Sequence, residues 1–202
     1  MLSEGNLARG VTMITGKKTR LRALEKNDLA KVWEWMNDDE VMWLWAMPAN
    51  TQSLPEVEQW FAKLHEVAGH SSKQFIIETE EGKPIGRIFY EHLDTKNQRT
   101  EVGILIGEKE YWGKGYGTDA MIAFLDYLFN ELGLHRVYLH VQSYNARALK
   151  SYQKCGFVQE GILRHHSFTR GEYYDDLVMG ILRDEFNQRH RRDVTTSKGG
   201  IE

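Results

Sequence analysis

Cysteine is almost absent from this 202-residue chain: Cys155 is the only one, so no disulfide can close within it and an oxidising compartment gains no support. Long apolar runs are missing too. No stretch approaches the ~18 consecutive apolar residues of a membrane span, and the opening MLSEGNLARGVTMITGKK lacks the apolar core of a signal peptide. A cytoplasmic location is therefore expected. There is no basic excess: 26 Lys and Arg stand against 29 Asp and Glu, a formal charge of -3, which leaves no electrostatic footprint for nucleic acid or a membrane surface. No internal repeat and no interdomain linker occurs. What is present, 41% hydrophobic and 27% charged residues, suits one soluble domain with a well-buried core.

Periodicity sets the expected elements. TRLRAL (19–24) alternates as a strand, and Leu29, Val32, Trp33 and Met36 follow at helical spacing behind Asn27, a candidate N-cap. A second helix is expected from about Ser53, with Pro55 early and Val57, Trp60, Phe61, Leu64 and Val67 on one face. Between them VMWLWAMPA (41–49) is aromatic but short, and reads as a loop. QFIIETE (74–80) and IGRIFYEHL (85–93) form a hairpin, and RTEVGILIG (99–107) is the next strand, whose Gly103 and Gly107 signal a bulge or a close approach. Ala120 to Leu132 is a helix ended by Gly133, HRVYLHVQ (135–142) a strand, and Asn145 to Cys155 a helix stopped at Gly156. Two strands, in FVQEGILRHHSF and YYDDLVMGIL, meet at the turn 169–172. The expectation is one α+β domain over 19–186 with a mixed sheet of six to seven strands and four helices, a polar leader over 1–18 and a mobile tail over 187–202.

YWGKGYGTDA (111–120) places three glycines in five positions, between a strand and a helix. Thr118 stands where G-x-G-x-x-G needs its third glycine, and G-x-x-x-x-G-K-[ST] occurs nowhere, so a dinucleotide fold is weakened and a Walker A loop excluded. A strand, a glycine turn and a helix N-terminus still build an anion site from main-chain N–H groups. Alternatively, the glycines only make a tight turn.

This segment resembles the acetyl-CoA loop of the GCN5-related N-acetyltransferase (GNAT) superfamily, [QR]-x-x-G-x-[GA], with Gly115 and Gly117 at the small positions and Trp112 where Gln or Arg is usual. NARALKSYQKCGF resembles the family's second cofactor segment through Asn145, Tyr152, Gly156 and Phe157. EGILRHHSFTRGEYYDDLVMGIL resembles the branch of ribosomal-protein N-terminal and polyamine acetyltransferases. Together these span most of the chain, from residue 19 to 186. The resemblance implies acetyl-CoA as cosubstrate, no metal, a primary amine as acceptor (a protein N-terminus, a polyamine or another small amine) and a homodimer. Trp112, Gly113, Lys114, Gly115, Tyr116, Gly117 and Thr118 would then hold the pyrophosphate by their N–H groups, Ile104, Leu105 and Ile106 the pantetheine arm and acetyl carbonyl, and Asn145 a further cofactor contact or simply the helix cap.

Acyl transfer to an amine needs a base, a polarised carbonyl and a proton for the departing thiolate. Tyr152 is the candidate acid, since a phenol with an ordinary pKa of ~10 is protonated at neutral pH; otherwise it packs in the stripe Ala148, Leu149, Tyr152. Glu101 is the first choice of base, with Glu91 and His92 as rivals. By alternation Glu101, Gly103 and Leu105 share one strand face and Val102, Ile104 and Ile106 the other. His165 and His166 are adjacent in a strand and point to opposite faces, so they make no metal pair, and Cys155 reads as packing rather than nucleophile. MWLWAMP (42–48) would line the acceptor site or pack in a core. Asp38, Asp39 and Glu40 are available for a polyamine, although 41–50 carries no acid. The alternative reading is a non-catalytic acyl-CoA-binding sensor or assembly protein.

Overall fold

The computed structural model describes residues 13–45, 52–67 and 71–190. The first part of the leader, residues 46 to 48 of the aromatic stretch and the tail from 191 onward lie outside the described residues. Strand β1 (Ile14–Thr15), drawn from the expected leader, pairs with β2 (Thr19–Ala23). Helices α1 (Leu29–Met36), α2 (Asp39–Trp43) and α3 (Leu54–Val67) precede β3 (Lys73–Thr79), β4 (Pro84–Asp94) and β5 (Arg99–Ile106). Then come α4 (Tyr116–Asp126), prolonged by a π-turn over Tyr127–Glu131, β6 (Arg136–Gln142), α5 (Ala146–Cys155), β7 (Val158–Thr169), β8 (Glu172–Leu182) and α6 (Arg183–His190). The α+β class holds, with one strand and two helices more than the seven and four expected.

Three local differences have identifiable causes. Asn27 does not cap α1: it sits inside a 3-10 turn, Lys26–Asp28, whose Asp28 carboxylate accepts from the Glu25 N–H at 2.9 Å and from Arg22 at 2.7 Å on each oxygen. The stretch read as a loop begins as α2, because the Asp38 side chain accepts from the Glu40 and Val41 N–H groups and Val41 and Met42 are buried. Asn187 to His190, expected in the tail, are the last residues of α6, anchored by buried Phe186. On α1 the buried tryptophan is Trp35, whose indole N–H donates to Glu108 at 2.9 Å, while Trp33 faces outward.

The sheet runs β1-β2-β3-β4-β5-β6-β8-β7, antiparallel except for β5 and β6, whose parallel pairing requires the crossover that α4 supplies. One sheet face carries Phe124, Leu125 and Leu128 from α4, Tyr152 from α5 and Phe186 from α6. The opposite face carries Leu29, Val32 and Trp35 from α1, Met42 from α2 and Val57 from α3, over Ile76 and Leu105. Gly103 marks a close approach rather than a bulge: an added Cβ would lie 2.3 Å from Cζ of Phe89, whose ring covers it. Gly107 lies similarly under Trp35.

The parallel pair is short. It registers only Arg99 with Arg136, Thr100 with Val137 and Glu101 with Tyr138, after which β5 continues to Ile106 and β6 to Gln142 without pairing with each other. Beyond Glu101 the strands diverge into a wedge, and one main-chain edge of β5 is left without a strand neighbour.

Candidate active site

That wedge opens into a cavity of about 730 Å³ running from the glycine turn, past Glu101, to the underside of α2 and α3. The half beside the turn is built chiefly from main chain. Gly113 and Gly115 have φ of 73° and 86°, left-handed values that cost an L-residue about 1–2 kcal/mol. Gly115 is the N-cap of α4 and no side chain caps that helix, so its first N–H groups remain available to an anion. Trp112, Gly113, Gly115, Gly117 and Thr118 line the cavity, whereas Lys114 and Tyr116 do not. The Lys114 carbonyl instead accepts from Lys18 at 3.2 Å, and the Tyr116 ring stands edge-on to Tyr111. Thr118 Oγ1 lies 2.8 Å from Ser151 Oγ, tying α4 to α5.

Trp112, the departure from the loop pattern, has a definite place. Its indole N–H donates to the Ile106 carbonyl at 2.7 Å, and the Arg147 guanidinium sits 3.7 Å from its ring centroid. The tryptophan thus fixes the turn to the end of β5 and holds a cation over it. Arg147, Lys150 and Lys154, on one face of α5, also line the cavity. They went unused in the sequence reading, although their spacing signals a shared helix face. Uncapped N–H groups, two left-handed glycines and three cations fit the phosphates of a CoA.

Ile104, Leu105 and Ile106 line the wedge as expected, with Ile104 and Ile106 packed toward the α4 core and Leu105 in the core beneath α1. Asn145 is buried and doubly engaged: Oδ1 accepts from the Ala148 N–H at 3.1 Å as the cap of α5, and Nδ2 donates to the Leu44 carbonyl at 2.8 Å. Two turns on, Tyr152 faces the cavity with its ring 5.8 Å from Phe157. Its hydroxyl has no hydrogen-bond partner among the described residues, and burial pushes its pKa well above the phenol range. It remains protonated at any physiological pH.

Glu101 stands where β5 and β6 part. Its carboxylate accepts from His140 Nδ1 at 2.8 Å and His92 Nδ1 at 3.3 Å, and Glu91 lies directly across on β4. His140 was missed in the sequence; its signal is a polar residue alternating with Val137, Leu139 and Val141, which places it on the opposite face of β6. Among the described residues, Glu91, His92 and Glu101 are the one group whose ligand atoms gather within 4.8 Å. His166 instead sits 3.3 Å from Asp176 and His165 stacks on Tyr173. Cys155 is fully buried and its thiol is pushed up to about 12, consistent with packing.

The far half of the cavity is lined by large side chains, among them Trp45, Trp60, Gln74, Arg87 and Phe89. Of the aromatic stretch, Met42 is buried in the core, Trp45 lines the cavity, and Trp43 stacks on Tyr144 at 4.3 Å. The acids considered for a polyamine are committed elsewhere. Lys109 bonds Asp38 at 2.8 Å and Glu40 at 3.0 Å, and Arg170 pairs with Asp39.

Residues 18–158 match the family described as the acetyltransferase (GNAT) domain. The chain belongs to this family. It is 32% identical to spermidine N(1)-acetyltransferase of Vibrio cholerae serotype O1, over 84% of this chain and 95% of the relative. It is 30% identical to the Escherichia coli K12 enzyme of the same name, over 89% and 94%. The crystal structure of spermidine N-acetyltransferase from Vibrio cholerae in complex with CoA and spermine superposes with a TM-score of 0.78 at 31% identity, covering 84% of this chain and 98% of that one. The protein is an acetyl-CoA-dependent N-acetyltransferase that acts on a primary amine. Nothing in these similarities supports the non-catalytic alternative.

Proposed function

We propose that acetyl transfer proceeds by direct attack in a ternary complex centred on Glu101. The observation carrying this reading is the parting of β5 from β6 at that residue, which sets a carboxylate bridging two imidazoles at the throat between the two halves of the cavity. Acetyl-CoA supplies a thioester whose carbon–sulfur bond breaks as the carbon–nitrogen bond forms. The N–H groups of Gly113, Gly115, Gly117 and Thr118 and the cations of α5 hold its phosphates, while the free edge of Ile104, Leu105 and Ile106 aligns the arm. Glu101 takes the proton of the attacking amine, directly or through water, and Tyr152 gives its proton to the departing thiolate. The phenol's protonated state and its position on the cavity wall support that role.

Spermidine is the acceptor named for the relatives, so polyamines head the acceptor panel, beside peptide N-termini and other small amines. A cytoplasmic homodimer is the proposed assembly; exposed Val158, Ile162 and Phe168 on edge strand β7, with Tyr173 on β8, support an interface there. The decisive assay is free-thiol release from acetyl-CoA across the panel. Turnover with at least one amine is expected. Tight CoA binding without turnover on any amine would favour the non-catalytic reading.

A further inference from the structure

Arg87 is a charged residue of the acceptor half that the proposed reaction leaves unused. It stands on β4, on the sheet face toward α1 to α3, and is only 5% exposed. Its guanidinium carbon lies 4.5 Å from the Trp45 ring, 5.2 Å from Trp60 and 5.5 Å from Phe89. Such rings steady a cation over their faces but accept no in-plane hydrogen bond. Its one hydrogen bond is a long contact with Gln74 Oε1 at 3.4 Å, and Nε has no partner. Among the described residues no carboxylate pairs with it; Glu91 acts on it only through space. Burial lowers its pKa to about 10, so it stays cationic at neutral pH.

A guanidinium presents five donors in a planar fork, and a buried one left unsatisfied, as Nε is here, is costly. Proteins keep such a charge where a partner arrives from outside, and the partner whose shape matches the fork is a carboxylate. Opposite charges also lie along this half of the cavity. Glu101 and Glu91 sit at the throat and Arg87 sits beneath the aromatic rings, with Phe89 between them on the same strand face. A polycation would meet a buried like charge at the inner end, and Asp38, Asp39 and Glu40 are already paired.

We propose that Arg87 anchors a carboxylate of the acceptor, making the substrate an amine that bears a carboxylate, of the amino-acid class, rather than a polyamine. This rests on the reading that the cavity receives the acceptor amine beside Glu101. The ammonium end meets the Glu91 and Glu101 carboxylates, and the anionic end reaches under Trp45 and Trp60. Arg87 selects and positions; it takes no part in bond making.

The test uses matched acceptors that differ only by a carboxylate: phenylalanine against phenethylamine, ornithine against putrescine and 4-aminobutyrate against propylamine, with spermidine alongside. Free-thiol release is followed in wild type, Arg87→Lys and Arg87→Met. The expected result is at least a tenfold preference in kcat/KM for a carboxylated member over its matched amine, seen mainly in KM, partly kept in Arg87→Lys and abolished in Arg87→Met. Preference for spermidine or the decarboxylated amines, or a carboxylate preference that survives Arg87→Met, overturns the inference and leaves acetyl transfer standing. If no amine turns over, the transfer reading fails, and thermal protection by glutarate of the CoA-saturated protein decides the role of Arg87 independently. A rise in Tm in wild type that is lost in Arg87→Met supports the anchor; no rise in wild type overturns it. Free Arg87→Met is expected to melt no lower than wild type, and a lower Tm would mark the arginine as structural and overturn the assignment.

Discussion

The two halves of the cleft are made from different materials. The half beside the glycine turn offers main-chain N–H groups, left-handed glycines and one cationic face of α5, all within residues 112 to 154. The acceptor half is assembled from α2, α3, β3 and β4, and its character comes from side chains: two tryptophans, a phenylalanine, a glutamine and a buried arginine. A main-chain site needs particular backbone conformations at consecutive positions, so it tolerates side-chain change, and Trp112 in place of Gln or Arg is an instance. A side-chain site has no such local requirement, and one substitution such as an arginine on β4 changes what it accepts.

Mutations in the two halves should therefore separate cleanly. Tyr152→Phe, at the boundary, is expected to have the largest effect: a fall in kcat of about 100-fold or more, with CoA affinity by calorimetry unchanged within about twofold. An unaltered kcat would return Tyr152 to a packing role beside Phe157. Next comes Gly115→Val, in the donor half. Forcing a β-branched residue to φ 86° adds strain of about 1–3 kcal/mol, which corresponds to roughly 5- to 150-fold weaker CoA binding. Preference among acceptors should not move, and an unchanged CoA affinity would remove the glycine turn from the cofactor site. The smallest effect is expected from Arg147→Ala: about a three- to tenfold rise in KM for CoA at low salt, fading as the Debye length shrinks to about 3 Å at 1 M. A loss independent of salt would mean that Arg147 acts through its stack on Trp112 rather than through its charge.

Much of the fold was legible because its signals are local. The stripe from Ala120 through Leu128 and the stop at Gly156 follow from periodicity and capping. The start of α1 was not legible, since no side chain caps it and the Asp28 carboxylate is held instead by Arg22 on β2 and by the Glu25 N–H. Nor was α2, whose five residues are too few to show a period and which depends on the Asp38 cap and the burial of Val41 and Met42. In the site, Glu101 could be chosen from its place on the strand before the turn, but His140 reaches it only because β6 pairs in parallel across a long crossover.

By itself the sequence determined the family and its acetyl-CoA cosubstrate, and it marked the segment proposed to hold it. Three spaced glycines, a strand before them and an Asn-to-Tyr helix after them require conformations that few other structures need, so the motif survives in one dimension. Only the tertiary structure decided the acceptor side. Arg87 reads in sequence as one residue of an alternating strand; it becomes a buried cation with an unsatisfied Nε when Trp45, just past α2, and Trp60 of α3, far from it along the chain, pack their rings beside it and no carboxylate among the described residues pairs with it.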